Sequence, residues 1–307
     1  MLTTFWSVWI SAIILGSIIG CGVLIQYSRK TQVHSEETDE TTGHEYDGIQ
    51  ELDNPLPRWW VMMFWGTIIF GLIYLALYPG LGNFQGLLKV EVNGESKPWT
   101  SAVQWEKEVE VMEAKTAPLF AKYAATPIPE LAQDQEAMQS GLRIFKSYCS
   151  VCHGSNAKGS QGFPNLADND WLFGGEPAQI KQTILHGRQG AMPAWGAVLG
   201  QEGTDNMVQY VRSLSGLEHD AAKAEAAVPQ YQQLCLACHG ADGKGNQLVG
   251  APNLTDDVWL YGGSTKAIKF TIENGRNGLM PAHADFLGED KVHVVAAYVY
   301  SLSQDKK

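Results

Sequence analysis

Two copies of the pattern Cys-x-x-Cys-His carry the clearest chemistry in this sequence of 307 residues. They consist of Cys149, Cys152 and His153, and of Cys235, Cys238 and His239. The two thiols of such a pattern can form thioethers to the vinyl groups of a haem, and the adjacent His reaches the iron from one side. Cys-x-x-Cys alone is typical of a zinc or redox site. The following His, present in both copies, favours two covalently bound c-type haems.

The two motifs lie in a tandem repeat that fills about residues 133–307. Three pairs of segments recur at an offset of 88 residues: Trp171–Gly175 with Trp259–Gly263, Met192-Pro193 with Met280-Pro281, and Tyr210–Ser215 with Tyr298–Ser303. The cysteines recur at an offset of 86, so the second copy has two extra residues between its His and Asn253. We interpret these as a loop insertion. The repeat predicts two domains, 133–217 and 218–307, each small enough that a haem would supply much of its core.

Each repeat resembles a class I cytochrome c domain. Residues Gly141–Phe145 have the helical pattern that should run into Cys149, and Ala227 and Tyr231 hold the equivalent places before Cys235. The resemblance implies that this first helix crosses a C-terminal helix. The segments that begin at Tyr210 and Tyr298 suit the second helix.

The same resemblance implies the remaining haem contacts. The sixth iron ligand in that family is usually a Met some tens of residues after the His, which implies Met192 for the first repeat and Met280 for the second. A His and a Met together raise the reduction potential and close the iron to small molecules, which favours electron transfer. The ligating His normally donates its other N–H to a Pro carbonyl, which implies Pro164 and Pro252. We also consider His283 as a competing ligand, with solvent exposure as the alternative.

Two uncharged stretches predict membrane spans at residues 1–28 and 59–80. Phe5–Tyr27 and Trp59–Tyr78 each reach the length of about 20 apolar residues that a helix needs to cross a bilayer. A buried core helix would have a polar face, and a signal peptide would have a basic start; neither feature is present. Lipidation at Cys21 is a further alternative, against a small apolar residue inside a membrane helix.

The segment between the spans predicts the membrane topology. Lys30–Arg58 contains eight acidic residues between two basic ones, for a charge of −6, and we expect it to be solvated. The basic residues beside the spans, with Arg29, place loop 29–58 in the cytoplasm and both termini outside. Attachment of c-type haem outside the bacterial cytoplasm, which the cytochrome resemblance implies, independently places the repeat there.

The connector at residues 81–132 is mixed in character. A break follows Tyr78 at Pro79–Gly82, and apolar residues from Val103 onward have helical spacing. Pro118 predicts a kink or an end of that helix, and Pro127 and Pro129 predict a stop. The fold class that we predict is therefore all-α, a two-helix transmembrane hairpin followed by two tandem class I cytochrome c domains.

Composition and histidine placement restrict the function. The formal charge of −11 argues against nucleic acid as a partner. None of the eight histidines lies in either predicted span, and intramembrane b-type haem and copper are held by histidines on membrane helices. We therefore expect this chain to carry electrons and to house no oxygen-reducing centre of its own.

Three further segments resemble the dihaem subunit of cbb-type (C-family) haem–copper oxidases: Asp47–Trp60, Tyr78–Gly82 and Asp290–Tyr300. The resemblance covers nearly the whole chain and is weakest at residues 31–44. It implies a non-catalytic subunit of the bacterial inner membrane that takes electrons from a soluble periplasmic donor cytochrome c. The electrons would pass through two haem c groups to a monohaem c-type subunit and then to a catalytic subunit that reduces oxygen to water and pumps protons.

Three alternatives remain open at this stage. A free-standing membrane-anchored dihaem shuttle would serve other redox partners, but it gives no reason for the segment before the second span. A dihaem peroxidase would need an iron with an open or displaceable ligand. A haem-based gas sensor would need a signalling domain, and the sequence contains no recognisable one.

Overall fold

A computed structural model describes residues 2–31 and 39–304, so part of the predicted acidic loop lies outside the described residues. The described chain is mostly helical, which confirms the fold class, although short strands are also present. The α-helices are α1 (Thr4–Thr31), α2 (Arg58–Leu77), α3 (Ser101–Ala124), α4 (Ile128–Leu131), α5 (Gln135–Tyr148), α6 (Ser150–His153), α7 (Pro177–His186), α8 (Gly196–Leu214), α9 (Ala221–Leu234), α10 (Leu236–His239), α11 (Thr265–Asn274), α12 (Ala284–Leu287) and α13 (Glu289–Gln304). The strands are β1 (Thr41–Tyr46), β2 (Ile49–Leu52), β3 (Lys89–Val92), β4 (Glu95–Pro98), β5 (Arg188–Met192) and β6 (Arg276–Met280).

Helices α1 and α2 are long and apolar enough to cross a membrane, over Thr4–Arg29 and Arg58–Leu77. Helix α2 begins directly after Pro57 and ends at Leu77, because Tyr78 precedes Pro79 and adopts an extended conformation. Almost all of the apolar surface of the two helices is left uncovered by the chain itself. That surface suits lipid or another membrane subunit as its neighbour.

Asn83 ties the start of α1 to the segment that follows α2. Its Oδ1 accepts a hydrogen bond from the backbone N–H of Leu2, and its Nδ2 donates to the Leu2 carbonyl, both at 3.0 Å. The backbone N–H of Asn83 also donates to Oγ of Ser7 at 2.9 Å. These bonds align the two helices at one end of the hairpin.

Two β-hairpins are present that the sequence analysis did not predict. Strands β1 and β2 join through Asp47-Gly48, and β3 and β4 join through Asn93-Gly94. All four turn residues have positive φ, between 51° and 82°, as a type I′ turn requires. Asp-Gly and Asn-Gly are the strongest sequence signals for this turn, so the first hairpin gives the predicted loop a defined structure after residue 39.

Helix α3 continues through Pro118 to Ala124, so Pro118 does not end it as one expectation had it. A Pro inside a helix removes one backbone hydrogen bond. The last turns of α3 compensate by packing, since Tyr123 is buried and Phe120 lies against the apolar core of the following region. Helix α3 then ends at Ala124, just before the stop predicted at Pro127, and α4 begins after Pro127.

Residues 117–307 form one compact unit that contains both repeats. The first helix of each repeat begins in the same way: the side chain of Asp134 caps α5 and that of Asp220 caps α9. The two extra residues of the second copy lie in one turn, because the bridge Ser160–Phe163 of the first copy corresponds to Asn246–Ala251 of the second. The insertion is therefore in a loop, as predicted.

The repeats exchange their C-terminal halves. Helix α5 of the first repeat packs against α13 of the second, whereas α8 of the first packs against α9 and α11 of the second. The expected crossing of a first and a last helix is present in both cores, but each crossing joins different repeats. The ring of Phe145 lies 5.5 Å from that of Tyr298, and the ring of Tyr210 lies 4.9 Å from that of Tyr231.

The chain crosses from one core to the other along strands β5 and β6, which pair antiparallel. Arg188 faces Met280, Gly190 faces Gly278, and Met192 faces Arg276. The register is symmetric about the central glycine pair. We call β5 and β6 together the ribbon.

Candidate haem-binding sites

Each motif ends in a buried His whose ring is held by a carbonyl. His153 is 8% exposed and its Nδ1 lies 3.0 Å from the carbonyl oxygen of Pro164. His239 is 9% exposed and its Nδ1 lies 3.1 Å from the carbonyl oxygen of Pro252. Since a carbonyl only accepts, Nδ1 carries the proton in both rings and Nε2 keeps a lone pair for a metal.

Burial also keeps these two rings neutral. It lowers the pKa of both His153 and His239, against a smaller opposing effect of the hydrogen bonds to the Pro carbonyls. A neutral imidazole is the form that binds iron. The local structure and the electrostatics of each motif thus leave a neutral imidazole that could bind a metal.

The cysteines of each motif differ in exposure. Cys149 and Cys235 are half-buried and end the helices α5 and α9, whereas Cys152 and Cys238 are exposed on the next short helix. Burial, with a smaller effect of the neighbouring thiol, raises the pKa of both Cys149 and Cys235 to about 11. These two cysteines are therefore neutral thiols near pH 7.

The exchange of halves decides which Met lies in which pocket. Met280 packs against the apolar cluster that contains Phe145, Cys149 and Leu166, in the pocket of His153. Met192 packs against the cluster that contains Cys235, in the pocket of His239. The structure differs here from the expectation that each Met serves the His of its own repeat. Met192 and Met280 are equivalent positions of the repeat, so the repeat pattern alone does not show which His each of them approaches.

Two glycines fix the Met-Pro turns across the ribbon. Gly187 has a φ of +71° and lies directly against the carbonyl of Met280, and Gly275 has the same φ and lies against the carbonyl of Met192. A Cβ at either position would overlap this carbonyl and would also be strained by the positive φ. Each Met is therefore positioned by the repeat to which it does not belong.

Two arginines of the ribbon were not singled out from the sequence. Arg188 donates to Oγ of Thr183 and lies 5.2 Å from the centre of the Phe173 ring. Arg276 makes the equivalent bonds to Thr271 and lies over Tyr261 at 4.2 Å. Gly187-Arg188 and Gly275-Arg276 share the offset of 88, so a full alignment of the repeat would have found them.

His283 is buried, at 8% exposure, so the expectation of solvent exposure was wrong. Its Nδ1 lies 2.8 Å from the carbonyl oxygen of Pro281, and its ring is 5.1 Å from that of Phe286. It belongs to the pocket of His153, since its backbone N–H donates to Ile184 at the end of α7.

The donor set fits a covalently bound haem. Each pocket brings together a Cys pair, a neutral His with Nε2 available and a Met thioether. A zinc site would need at least three grouped His, Cys, Asp or Glu side chains, and residues 2–31 and 39–304 contain no such group. The side chains therefore favour haem over the zinc alternative in both pockets.

Comparison with known protein families agrees with this chemistry. A family described as the N-terminal domain of cytochrome oxidase-cbb3, FixP, matches residues 38–85. A second family, described as cytochrome c oxidase, cbb3-type, subunit III, matches residues 136–211 and 222–299. The two matches to the second family coincide with the two repeats.

Several curated proteins are similar over nearly their whole length. The cbb3-type cytochrome c oxidase subunit CcoP of Rubrivivax gelatinosus is 46% identical over 301 residues, which cover 97% of this chain and 95% of that protein. The subunit FixP of Bradyrhizobium diazoefficiens is 42% identical, over 87% of this chain and 95% of that protein. The subunit FixP of Azorhizobium caulinodans is 40% identical, over 85% and 92% respectively.

Proposed function

The chain belongs to the CcoP/FixP family of cbb3-type cytochrome c oxidase subunits, and from this premise we propose that it is the dihaem electron-entry subunit of such an oxidase. It takes electrons from a periplasmic donor cytochrome c and passes them to the catalytic core. Its partners are the catalytic haem–copper subunit and a monohaem c-type subunit. It carries no oxygen chemistry itself.

One observation carries the proposal: two matched His/Met pockets are joined by a single short ribbon. Met280 at the end of β6 faces Arg188, and Met192 at the end of β5 faces Arg276. Strand β5 is five residues long and therefore connects Arg188, which pairs with Met280, to Met192. Such an arrangement suits electron transfer between two fixed centres better than independent binding of two partners.

We assign the axial ligands as the pairs His153 with Met280 and His239 with Met192. The haem supplies one-electron redox chemistry when bound. The chain contributes the thioether cysteines, a neutral His held by Pro164 or Pro252, and a Met held by the opposite repeat. With both axial positions filled by protein side chains, each pocket excludes small molecules, which argues against the peroxidase alternative.

The proposed location is the bacterial inner membrane, with α1 and α2 as the spans. Both termini and residues 81–307 lie in the periplasm, and loop 29–58 lies in the cytoplasm. The support is the basic residues beside the spans and the requirement for haem attachment outside the cytoplasm.

Isolation of the protein from membranes in a mild detergent tests the proposed assembly. We expect it to copurify with a subunit that contains b-type haem and copper, and with a second c-type subunit. Arrival of the chain alone, with two haem c groups and no b-type haem or copper, would favour the free-standing shuttle instead.

The ligand pairs are tested by Met192→Ala and Met280→Ala in the complete protein. We expect each variant to lose one of two Met-to-iron charge-transfer bands. The two haems can be distinguished with Cys149→Ser/Cys152→Ser, which leaves only the haem of His239 covalently attached. Loss of the band of the His153 haem in Met192→Ala would overturn the crossed pairing.

A further inference from the structure

The two pockets differ at one equivalent position, which lies three residues after the Met in each repeat. His283 corresponds to Trp195 at the offset of 88 residues. The backbone N–H of Trp195 donates to the carbonyl of Ile272 at 2.9 Å, and that of His283 donates to the carbonyl of Ile184 at 3.0 Å. The two side chains therefore start from equivalent backbone positions, one in each pocket.

The two side chains at this position differ in whether they can bind iron. Trp195 packs against the apolar cluster that includes Met192, and an indole does not bind iron. His283 is buried three residues after Met280, and it lies close enough to His153 to act on it electrostatically. The pocket of His153 therefore contains a second imidazole.

The imidazole of His283 makes the same kind of hydrogen bond as the rings of His153 and His239. Its Nδ1 faces the carbonyl of Pro281 at 2.8 Å, as that of His153 faces Pro164 and that of His239 faces Pro252. The carbonyl fixes the proton on Nδ1 and leaves the lone pair on Nε2. His283 thus has the tautomer of an axial ligand.

We propose that His283 is a reserve axial ligand for the haem that Cys149 and Cys152 hold, and that it occupies the sixth position when Met280 leaves it. This inference rests on the proposed His153–Met280 pair. In the exchange the iron–sulfur bond breaks and an iron–nitrogen bond to Nε2 forms. No electron or proton is transferred, because the imidazole enters neutral and keeps its Nδ1–H. Replacing Met by His lowers the reduction potential, so the exchange would slow electron entry at this haem only.

The test compares Met280→Ala, Met192→Ala and the double variant Met280→Ala/His283→Trp in the complete protein at pH 7. Spin state is measured by electron paramagnetic resonance and by carbon monoxide binding to the reduced haems. We expect Met280→Ala to lose one Met-to-iron band and keep both haems low-spin, with no carbon monoxide bound. Met192→Ala, whose pocket has Trp195, should give one high-spin haem that binds carbon monoxide, and so should the double variant.

Three results would count against the inference. A high-spin haem in Met280→Ala, equal to that in Met192→Ala, would overturn it, and so would a double variant in which both haems stay low-spin. If Met280→Ala keeps both Met-to-iron bands, the ligand pair itself is wrong, and the inference fails together with the proposed function. The first two results leave the ligand pair intact, so the two failures are distinguishable.

Discussion

At the scale of single residues, the two cores are alike in position but not in chemistry. Tyr231 in the second repeat stands where Phe145 stands in the first, and both are fully buried. The Tyr231 hydroxyl donates to the carbonyl of Gly240 at 2.9 Å, directly after His239. That bond links the first helix of the repeat to the segment that carries the axial His.

We expect Tyr231→Phe to destabilise the protein by about 1 kcal/mol at pH 7, because it leaves the Gly240 carbonyl without its donor. Burial raises the pKa of Tyr231 to about 12. Between pH 10 and 12 the unfolded chain ionises this Tyr while the folded chain does not, so the wild type loses stability as the pH rises. The variant should lose less over that window. Thermal unfolding of the haem-loaded protein at pH 7 and pH 11 measures both effects.

Phe145→Tyr provides the control for this pair. It adds a hydroxyl at the matched position of the other core and should not reproduce the bond to Gly240. Equal alkaline losses in wild type and Tyr231→Phe would contradict the role of the hydroxyl.

At the scale of elements, the ribbon holds the two cores in register. Its ends are fixed where Gly187 and Gly275 lie against the Met carbonyls of the opposite strand. These contacts hold each Met-Pro turn against the opposite strand.

We expect Gly187→Ala to destabilise the protein by about 2–4 kcal/mol. A Cβ at positive φ costs roughly 1 kcal/mol, and overpacking against the Met280 carbonyl adds roughly 1–3 kcal/mol. The Met-to-iron band of the His153 haem should weaken, while that of the His239 haem should not. Unfolding and visible absorption of the haem-loaded protein are the measurements.

Gly200→Ala is the matched control, since Gly200 has φ and ψ of 64° and −177°, close to the 71° and −178° of Gly187, and open space around it. It should show only the free-energy cost of the backbone conformation and leave both bands unchanged. A loss in Gly187→Ala no larger than in Gly200→Ala would show that the close contact is unimportant.

In the hairpin of α1 and α2, the side chain of Asn83 connects the start of α1 to the segment after α2. We expect Asn83→Ala to lose the two side-chain bonds to Leu2 and to weaken the alignment of α1 with α2 by roughly 1–2 kcal/mol. Thermal stability of the purified subunit in detergent would report the loss. Asn83→Asp, which keeps the oxygen that accepts from Leu2 and loses only the donor, serves as a comparison, and a loss in Asn83→Ala no larger than in Asn83→Asp would argue against two bonds to Leu2.

At the scale of the whole molecule, the exchange makes one core continuous and the other discontinuous. Residues 188–280 contain Met192, α8, α9, α10 and α11, which complete the core of His239. The core of His153 needs α5 and α7, which precede that stretch, Met280 at its last residue, and α13, which follows it.

We therefore expect a fragment of residues 188–280, exported to a periplasm that attaches haem c, to fold with a Met-ligated haem. A fragment of residues 133–217 should attach haem at Cys149 and Cys152 but lack the native fold, because α13 is missing. Circular dichroism and the Met-to-iron band of the two fragments measure this. A stable Met-ligated 133–217 fragment would show that each repeat closes on itself.

The hydrogen bonds of His153 and His239 to the carbonyls of Pro164 and Pro252 could be predicted from the sequence, because each joins residues no more than 13 positions apart. The roles of Met192 and Met280 as iron ligands remain predictions. The exchange of the C-terminal halves depends on contacts between residues far apart in the sequence. Helices α8 and α13 have equivalent sequence patterns, so the sequence does not show which of them packs against α5 and which against α9. The hairpin at Asp47-Gly48 was missed for another reason, since its acidic composition outweighed a two-residue turn signal that was there to be read.

The residues that form the core of His239 lie, along the chain, between the two parts that form the core of His153, and this order has a consequence for synthesis. A chain made from its N-terminus presents Cys149 and His153 first, then the whole of the inner core, and only afterwards Met280 and α13. The pocket that is started first is therefore finished last. During that interval its haem would have one protein ligand, while the inner haem already has two. An interruption of synthesis between α11 and Met280 would thus leave a molecule with one finished centre and one centre without its second ligand.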